Sequence, residues 1–315
     1  MNKVLLGTLA ALAVAPAYVA MGCSSDGRSG IFPENTAYIP VSKFAAYTST
    51  EAQFNKTIAK LQAAYAPIFK AQGREYKIIS DWEDGTVNAY ANQNGNVSEV
   101  HMFGGLARHK KVTDDGFVLV ICHETGHHIG GAPQKVDSWA SNEGQADYFA
   151  TLKCAHKVWE ADDNASIVAR LTVPAVVVER CQKGFSAAND IAICERAALG
   201  GKSLADTLGD LGNTGDTDFI TPDTSVVTET DDSHPAAQCR LDTYLAGAVC
   251  GKADLATSVL DNKDATIGTC NTSTHDELGT RPLCWYNPTV TPTPPPTPPA
   301  PPRRGSSWPS RLTRT

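Results

Sequence analysis

Apolar positions first settle into a helical rhythm at Phe54, Ile58, Leu61, Tyr65 and Ile68, after Ser49-Thr50-Glu51 and before Gly73. That spacing predicts a packing helix with a start signal at one end and a stop at the other. The period then changes. Residues 76–79, 87–91 and 97–103 are short runs of strand-forming character, separated by Asp84-Gly85 and by the polar stretch 92–96, and they predict a small sheet. Thr113-Asp114-Asp115 then offers an N-cap and an acidic first turn to a helix running through Phe117, Val118, Val120 and Ile121 to Ile129, stopped by Gly130-Gly131. A second helix begins at Ser141 or Asn142, with Ala146, Phe149, Ala150 and Leu152 on its apolar side. Residues 167–197 and 240–249 read as further helix, the former turning near Gly184. The pattern is α+β, mainly helical, with a small sheet ahead of the helices.

The two ends depart from this pattern. Residues 1–22 carry one charge, Lys3, then an apolar run closed by small residues, the layout of a secretory signal. Ala20-Met21-Gly22-Cys23 resembles the signal of bacterial lipoproteins, which implies a lipidated Cys23 as the mature terminus. Ser24 after it implies the periplasmic side of the outer membrane. An ordinary cleaved signal and an uncleaved anchor are the alternatives. Residues 287–302 are dominated by proline and threonine and precede a basic stretch, which predicts an extended, solvated tail over 287–315. The expected organisation is a signal over 1–22, a linker over 23–48, a folded domain over 49–286, and the tail.

The sequence has 315 residues, 42% of them hydrophobic, enough to build a sizeable core. A net charge of −7 argues against nucleic acid as a partner, because phosphate recognition needs clustered Lys and Arg. With Cys23 set aside, the remaining cysteines are 122, 154, 181, 194, 239, 250, 270 and 284, an even set that predicts disulfides in an exported chain. Local spacing suggests Cys181 with Cys194 and Cys270 with Cys284. Cys239 and Cys250 are not expected to pair, since a helix between them would hold them beyond disulfide reach. From Ser203 to Cys239 the chain has no Lys or Arg and many acidic residues, which reads as a long solvated loop.

The chemistry lies on the helix that stops at Gly130. His123-Glu124-Thr125-Gly126-His127 places two imidazoles one turn apart on one face, able to grip a single metal ion, with Glu124 beside them. Neutral imidazoles suit Zn²⁺, and a neighbouring carboxylate can take the proton of an attacking water. Such a site needs a third protein ligand, and Glu143 at the start of the next helix is the natural one. Asp147, one turn further, could accept the second imidazole proton of a ligating histidine. His128 lies about 100° off the metal face. His101, His109, His156 and His275 read as ordinary surface or loop residues.

Four ordered blocks then carry a resemblance: Asn88-Ala89-Tyr90-Ala91, the His123 to His127 motif, Glu143 with Asp147, and Ser233-His234-Pro235 with Arg240. Together they resemble the CAAX-prenyl-protease and heat-shock-protein-X type of zinc peptidase, a gluzincin family with periplasmic quality-control members. The resemblance implies a gluzincin-type domain in which His123, His127 and Glu143 hold Zn²⁺, Glu124 is general base and acid, and Asp147 supports the ligands. It also implies that His234 and Arg240 help hold the substrate carbonyl or the ligand carboxylate. The chain departs from the pattern at Gln145, where many members carry a second acid, and in lacking membrane helices. The expected activity is hydrolysis of peptide bonds in cell-envelope proteins; the alternative is a catalytically silent chaperone or scaffold for unfolded chains. A peptidase must hold an extended substrate, and an exposed strand edge at 87–91 or 100–103 could do so.

Overall fold

Thr50 opens the first helix, α1 (Glu51–Ala71), with a reciprocal capping box: its hydroxyl accepts from the Gln53 N–H and its own N–H donates to the Gln53 side chain. This computed structural model describes residues 30–42, 47, 49–256 and 258–289; the expected signal, Cys23 and the tail from residue 290 lie outside them. α1 buries Phe54, Ile58, Leu61, Tyr65 and Phe69, so its buried stripe ends on Phe69, with Ile68 only partly covered.

Three strands follow: β1 (Glu75–Asp81), β2 (Ala89–Asn94) and β3 (Val97–Phe103). The sheet order is β1-β3-β2, with β1 parallel and β2 antiparallel to β3. β3 is therefore central. Residues 100–102 are paired on both sides and Phe103 with β1, so this run is not a free edge for substrate, whereas β2 is an edge strand. Its two-residue turn at Gly95, with φ 60°, lets β3 fold straight back onto it.

A short helix α2 (Gly104–Ala107) leads to α3 (Asp114–Ile129), capped by the Thr113 hydroxyl on the Gly116 N–H at 3.0 Å. From Gly116 to Ile129 every residue of α3 is buried, as befits a helix surrounded by other elements on all sides. α4 (Glu143–Phe149) is capped by the Asn142 side chain on the Gln145 N–H at 2.9 Å, and runs through a π-helical turn at Ala150–Cys154 into α5 (Ala155–Trp159). α6 (Asn164–Val168), α7 (Ala175–Gly184), α8 (Ala188–Gly212) and α9 (Ala237–Val249) complete the helical layer. Among the described residues no helix is long and apolar enough to cross a membrane.

Four further sequence expectations change. The acidic run does not start as a loop: α8 continues to Gly212 and ends on Asn213 in the left-handed region. Leu204, Ala205 and Leu208 give residues 203–212 an apolar side that packs inward, leaving Asp206 and Asp210 on helix turns. The linker expected through residue 48 gives way at Gly30, because Ile31 and Phe32 are buried in the main core at 0% and 1% exposure. His109 is buried, with Nε2 3.4 Å from an Asp210 carboxylate oxygen.

The fourth change concerns the cysteines. The disulfides are Cys122–Cys154, Cys181–Cys194, Cys239–Cys284 and Cys250–Cys270. Cys181–Cys194 joins α7 to α8 across the turn near Gly184. Cys270 and Cys284 do not pair. Cys239 and Cys250 stand at opposite ends of α9, and the returning C-terminal segment meets one end with Cys270 and the other with Cys284. Trp285, fully buried, then donates its indole N–H to Thr243 Oγ1 at 2.9 Å and lies where any side chain at Gly144 would stand, 2.3 Å from an added Cβ. Gly144 is thus what allows α4 to lie against this segment.

Candidate active site

α3 delivers His123 and His127 one turn apart, and the cap of α4 at Asn142 brings Glu143 to face them. The three residues offer ligand atoms that all lie within 4.8 Å of one another. Glu143 Oε2 is the common vertex, 3.2 Å from His123 Nε2 and 3.7 Å from His127 Nε2. The rings stand nearly perpendicular, at 87°, so their nitrogens approach one point from two directions.

The outer nitrogen of each ring is tied down. His123 Nδ1 lies 2.7 Å from Asp147 Oδ1, and His127 Nδ1 lies 2.8 Å from the Ser141 carbonyl. Both acceptors require a proton on Nδ1, which leaves a lone pair on each inward Nε2. Those Nε2 atoms, Glu143 Oε2 and both Glu124 carboxylate oxygens are buried without a hydrogen-bond partner. Polar atoms so placed are costly in an apolar interior. One divalent cation would satisfy the two imidazole nitrogens and the Glu143 oxygen together, so the donor set fits a metal.

Glu124 is fully buried, its Oε2 4.0 Å from His127 Nε2. Burial pushes its carboxyl up to about 8, with His123 pulling the other way and Glu143 adding to the rise. A cation at the neighbouring vertex would draw it down again. Asp147 is held at about 2: burial alone would raise it, but Arg240 and His123 outweigh that.

Arg240 is turned away from the positions expected for it. Its Nε and Nη2 donate to the two Asp147 oxygens at 2.7 and 2.6 Å, and its Nη1 donates to the Ile31 carbonyl. The guanidinium therefore braces Asp147 rather than the Glu143 carboxylate, since a planar fork matches a carboxylate with both oxygens free on that side. His234, 16% exposed, places Nε2 3.4 Å from Glu143 Oε2 and 2.5 Å from the Gly30 carbonyl oxygen. His128 turns outward from the cluster: its Nε2 contacts the Glu99 carbonyl at 3.1 Å and its ring stacks on Trp139.

Several participants carry no signal in sequence spacing. Lys135 Nζ donates to Glu143 Oε1 at 2.6 Å, reaching over from the loop between α3 and α4. The charge pair turns the carboxylate so that its other oxygen faces the imidazoles. Gln145, the departure from the resembled pattern, is a structural bracket: its Nε2 donates to the Gly130 carbonyl and its Oε1 accepts from buried Arg281, both at 2.7 Å. The Asn88 side chain clasps Phe32, accepting from its N–H at 3.1 Å and donating to its carbonyl at 3.0 Å.

No curated protein and no solved structure matches this chain. The sequence model of peptidase family M48 matches residues 51–243, a span that includes α1, the sheet, the paired histidines, Glu143, Asp147, His234 and Arg240. Most of the chain falls within that match, and its family is one of metal-dependent peptidases: the chain belongs to peptidase family M48.

Proposed function

We propose that this chain is a zinc endopeptidase acting on proteins of the cell envelope, with His123, His127 and Glu143 as metal ligands and Glu124 as general base and acid. The observation that carries the reading is the buried cluster of unpartnered donor atoms with an unpartnered carboxylate beside it. Two neutral imidazoles and one carboxylate form a donor set suited to Zn²⁺ with a position left for substrate or water. When bound, the ion supplies Lewis acidity and makes water a better nucleophile at neutral pH.

The remaining chemistry belongs to the chain. Glu124 takes a proton from the attacking water and gives it to the leaving amine, a task suited to a carboxylate whose burial brings it toward neutral pH. His234 Nε2 lies beside Glu143 and donates toward the substrate carbonyl oxygen as negative charge develops there. Asp147 fixes the His123 tautomer, and Arg240 fixes Asp147. The edge of β2 supplies backbone groups for an extended substrate.

The leader sequence supports export and attachment through a lipidated Cys23, and with it access to envelope proteins. The silent chaperone or scaffold has less support, since a binder needs no base beside a metal. The test is zinc content and casein cleavage for the wild type and Glu124→Gln. We expect equal zinc in both and a loss of about 10²- to 10⁴-fold in hydrolysis for the variant. Equal cleavage by both would reject Glu124 as the base, and bound metal with no cleavage by the wild type would favour the scaffold.

A further inference from the structure

We propose that the chain's own peptide bond between Gly30 and Ile31 occupies the substrate position and is the first bond this enzyme cuts. The proposal rests on the peptidase reading and names a substrate for it.

Three consecutive residues are held by the groups that surround the donor cluster. The Gly30 carbonyl oxygen accepts from His234 Nε2 at 2.5 Å, and that nitrogen is 3.4 Å from Glu143 Oε2. The Ile31 N–H donates to the Ala89 carbonyl on the free side of β2 at 2.9 Å, and the Ile31 carbonyl accepts from Arg240 Nη1. Phe32 is gripped through both its backbone groups by Asn88. Buried carbonyls need donors wherever they lie, but here the donor to Gly30 is the same His234 Nε2 that stands 3.4 Å from Glu143 Oε2. Recognition through backbone along a strand edge is instead how an extended peptide is bound, with side-chain pockets adding selectivity.

The same contacts define a preference. Gly30 lies so close to the edge strand that an added Cβ would sit 1.7 Å from the Ala89 oxygen, which selects glycine before the cut bond. Ile31 and Phe32 are at 0% and 1% exposure, which selects a large aliphatic and then an aromatic residue after it. The chain bends here, with the Gly30 N–H donating to the Phe32 carbonyl at 3.1 Å. Cleavage is therefore expected to be slower than that of a straight peptide.

In the reaction, water oxygen bonds to the Gly30 carbonyl carbon as Glu124 takes its proton. The bond from that carbon to the Ile31 nitrogen breaks, its electron pair stays on nitrogen, and Glu124 returns the proton there. The new carboxyl group passes its proton to the amine, so the products are a Gly30 carboxylate and an Ile31 ammonium, and the cut frees the domain from the segment carrying Cys23.

The test is the intact mass and N-terminal residue of the full chain, purified with its metal, for the wild type and Glu124→Gln. The wild type is expected to begin at Ile31, with a first-order rate independent of protein concentration, while the variant binds metal and keeps Gly30. A synthetic peptide containing Ser-Gly-Ile-Phe-Pro-Glu is expected to be cut between Gly and Ile. A wild type that cleaves casein yet keeps Gly30 would overturn this inference and leave the peptidase reading standing. Loss of Gly30 from both proteins, or at a rate proportional to concentration, would also overturn it. A wild type that keeps Gly30 and spares casein would remove both.

Discussion

The site has two walls of different origin. One is local: α3 and the start of α4 supply His123, Glu124, His127, Glu143 and Asp147 within 25 residues of chain, all fully buried or nearly so. The other is assembled from afar, with residues 30–32 meeting His234 and Arg240 across more than 200 positions. The near wall owes its geometry to helix periodicity, which fixes which side chains share a face. The far wall owes its geometry to backbone hydrogen bonds and one buried ion pair, which depend on the completed fold.

The difference is sharpest under substitution. His123→Ala should abolish metal binding, taking zinc from one equivalent to a trace by elemental analysis and ending hydrolysis with it, because two remaining ligands make a poor site. Asp147→Ala strikes the joint between the walls. It strands the buried Arg240 guanidinium and is expected to cost about 3–5 kcal/mol in a denaturant melt, with zinc affinity also falling by about 10- to 100-fold. A variant as stable as the wild type would mean that the ion pair does not join them.

His234→Ala removes a donor from the far wall alone. It should lower kcat by about 10²- to 10³-fold while zinc content stays at the wild-type level; loss of zinc would place His234 with the ligands and erase the distinction. The smallest effect concerns acid. Asp147 is held at about 2 in the folded protein, against about 3.9 when unfolded. The fold therefore favours its carboxylate, and the stabilisation is complete above pH ~4 and lost as pH falls toward 2. Melting temperatures between pH 5 and 2 should fall less steeply for Asp147→Asn than for the wild type.

The near wall was largely legible in the sequence for the same physical reason that it is compact. Thr113 and Asn142 announce two helix starts, and the spacing of His123 from His127 places them on one face whatever the rest of the chain does. What spacing could not show was orientation. The Arg240 guanidinium grips Asp147, while the Glu143 carboxylate takes its charged donor from Lys135, on a loop with no periodic signal. Ile31 and Phe32 sit in a short polar stretch, too brief for any pattern, and only the finished strand edge gives them a place. Cys181–Cys194 forms as local spacing suggests, but the expected Cys270–Cys284 bond does not, for a related reason: α9 separates Cys239 from Cys250 as its length requires, and the path of the returning segment decides which end Cys270 and Cys284 meet.

Cys122 directly precedes His123, and its bond to Cys154 pins the back of α3 to the π-helical turn that follows α4. The two helices that must meet at the cation are thus stapled at their far side. Thiol-keeping surroundings prevent such a staple from forming, so a reduced chain lacks this brace. The approach of the α3 imidazoles to Glu143 on α4 thus rests partly on a covalent bond placed away from the ligands themselves.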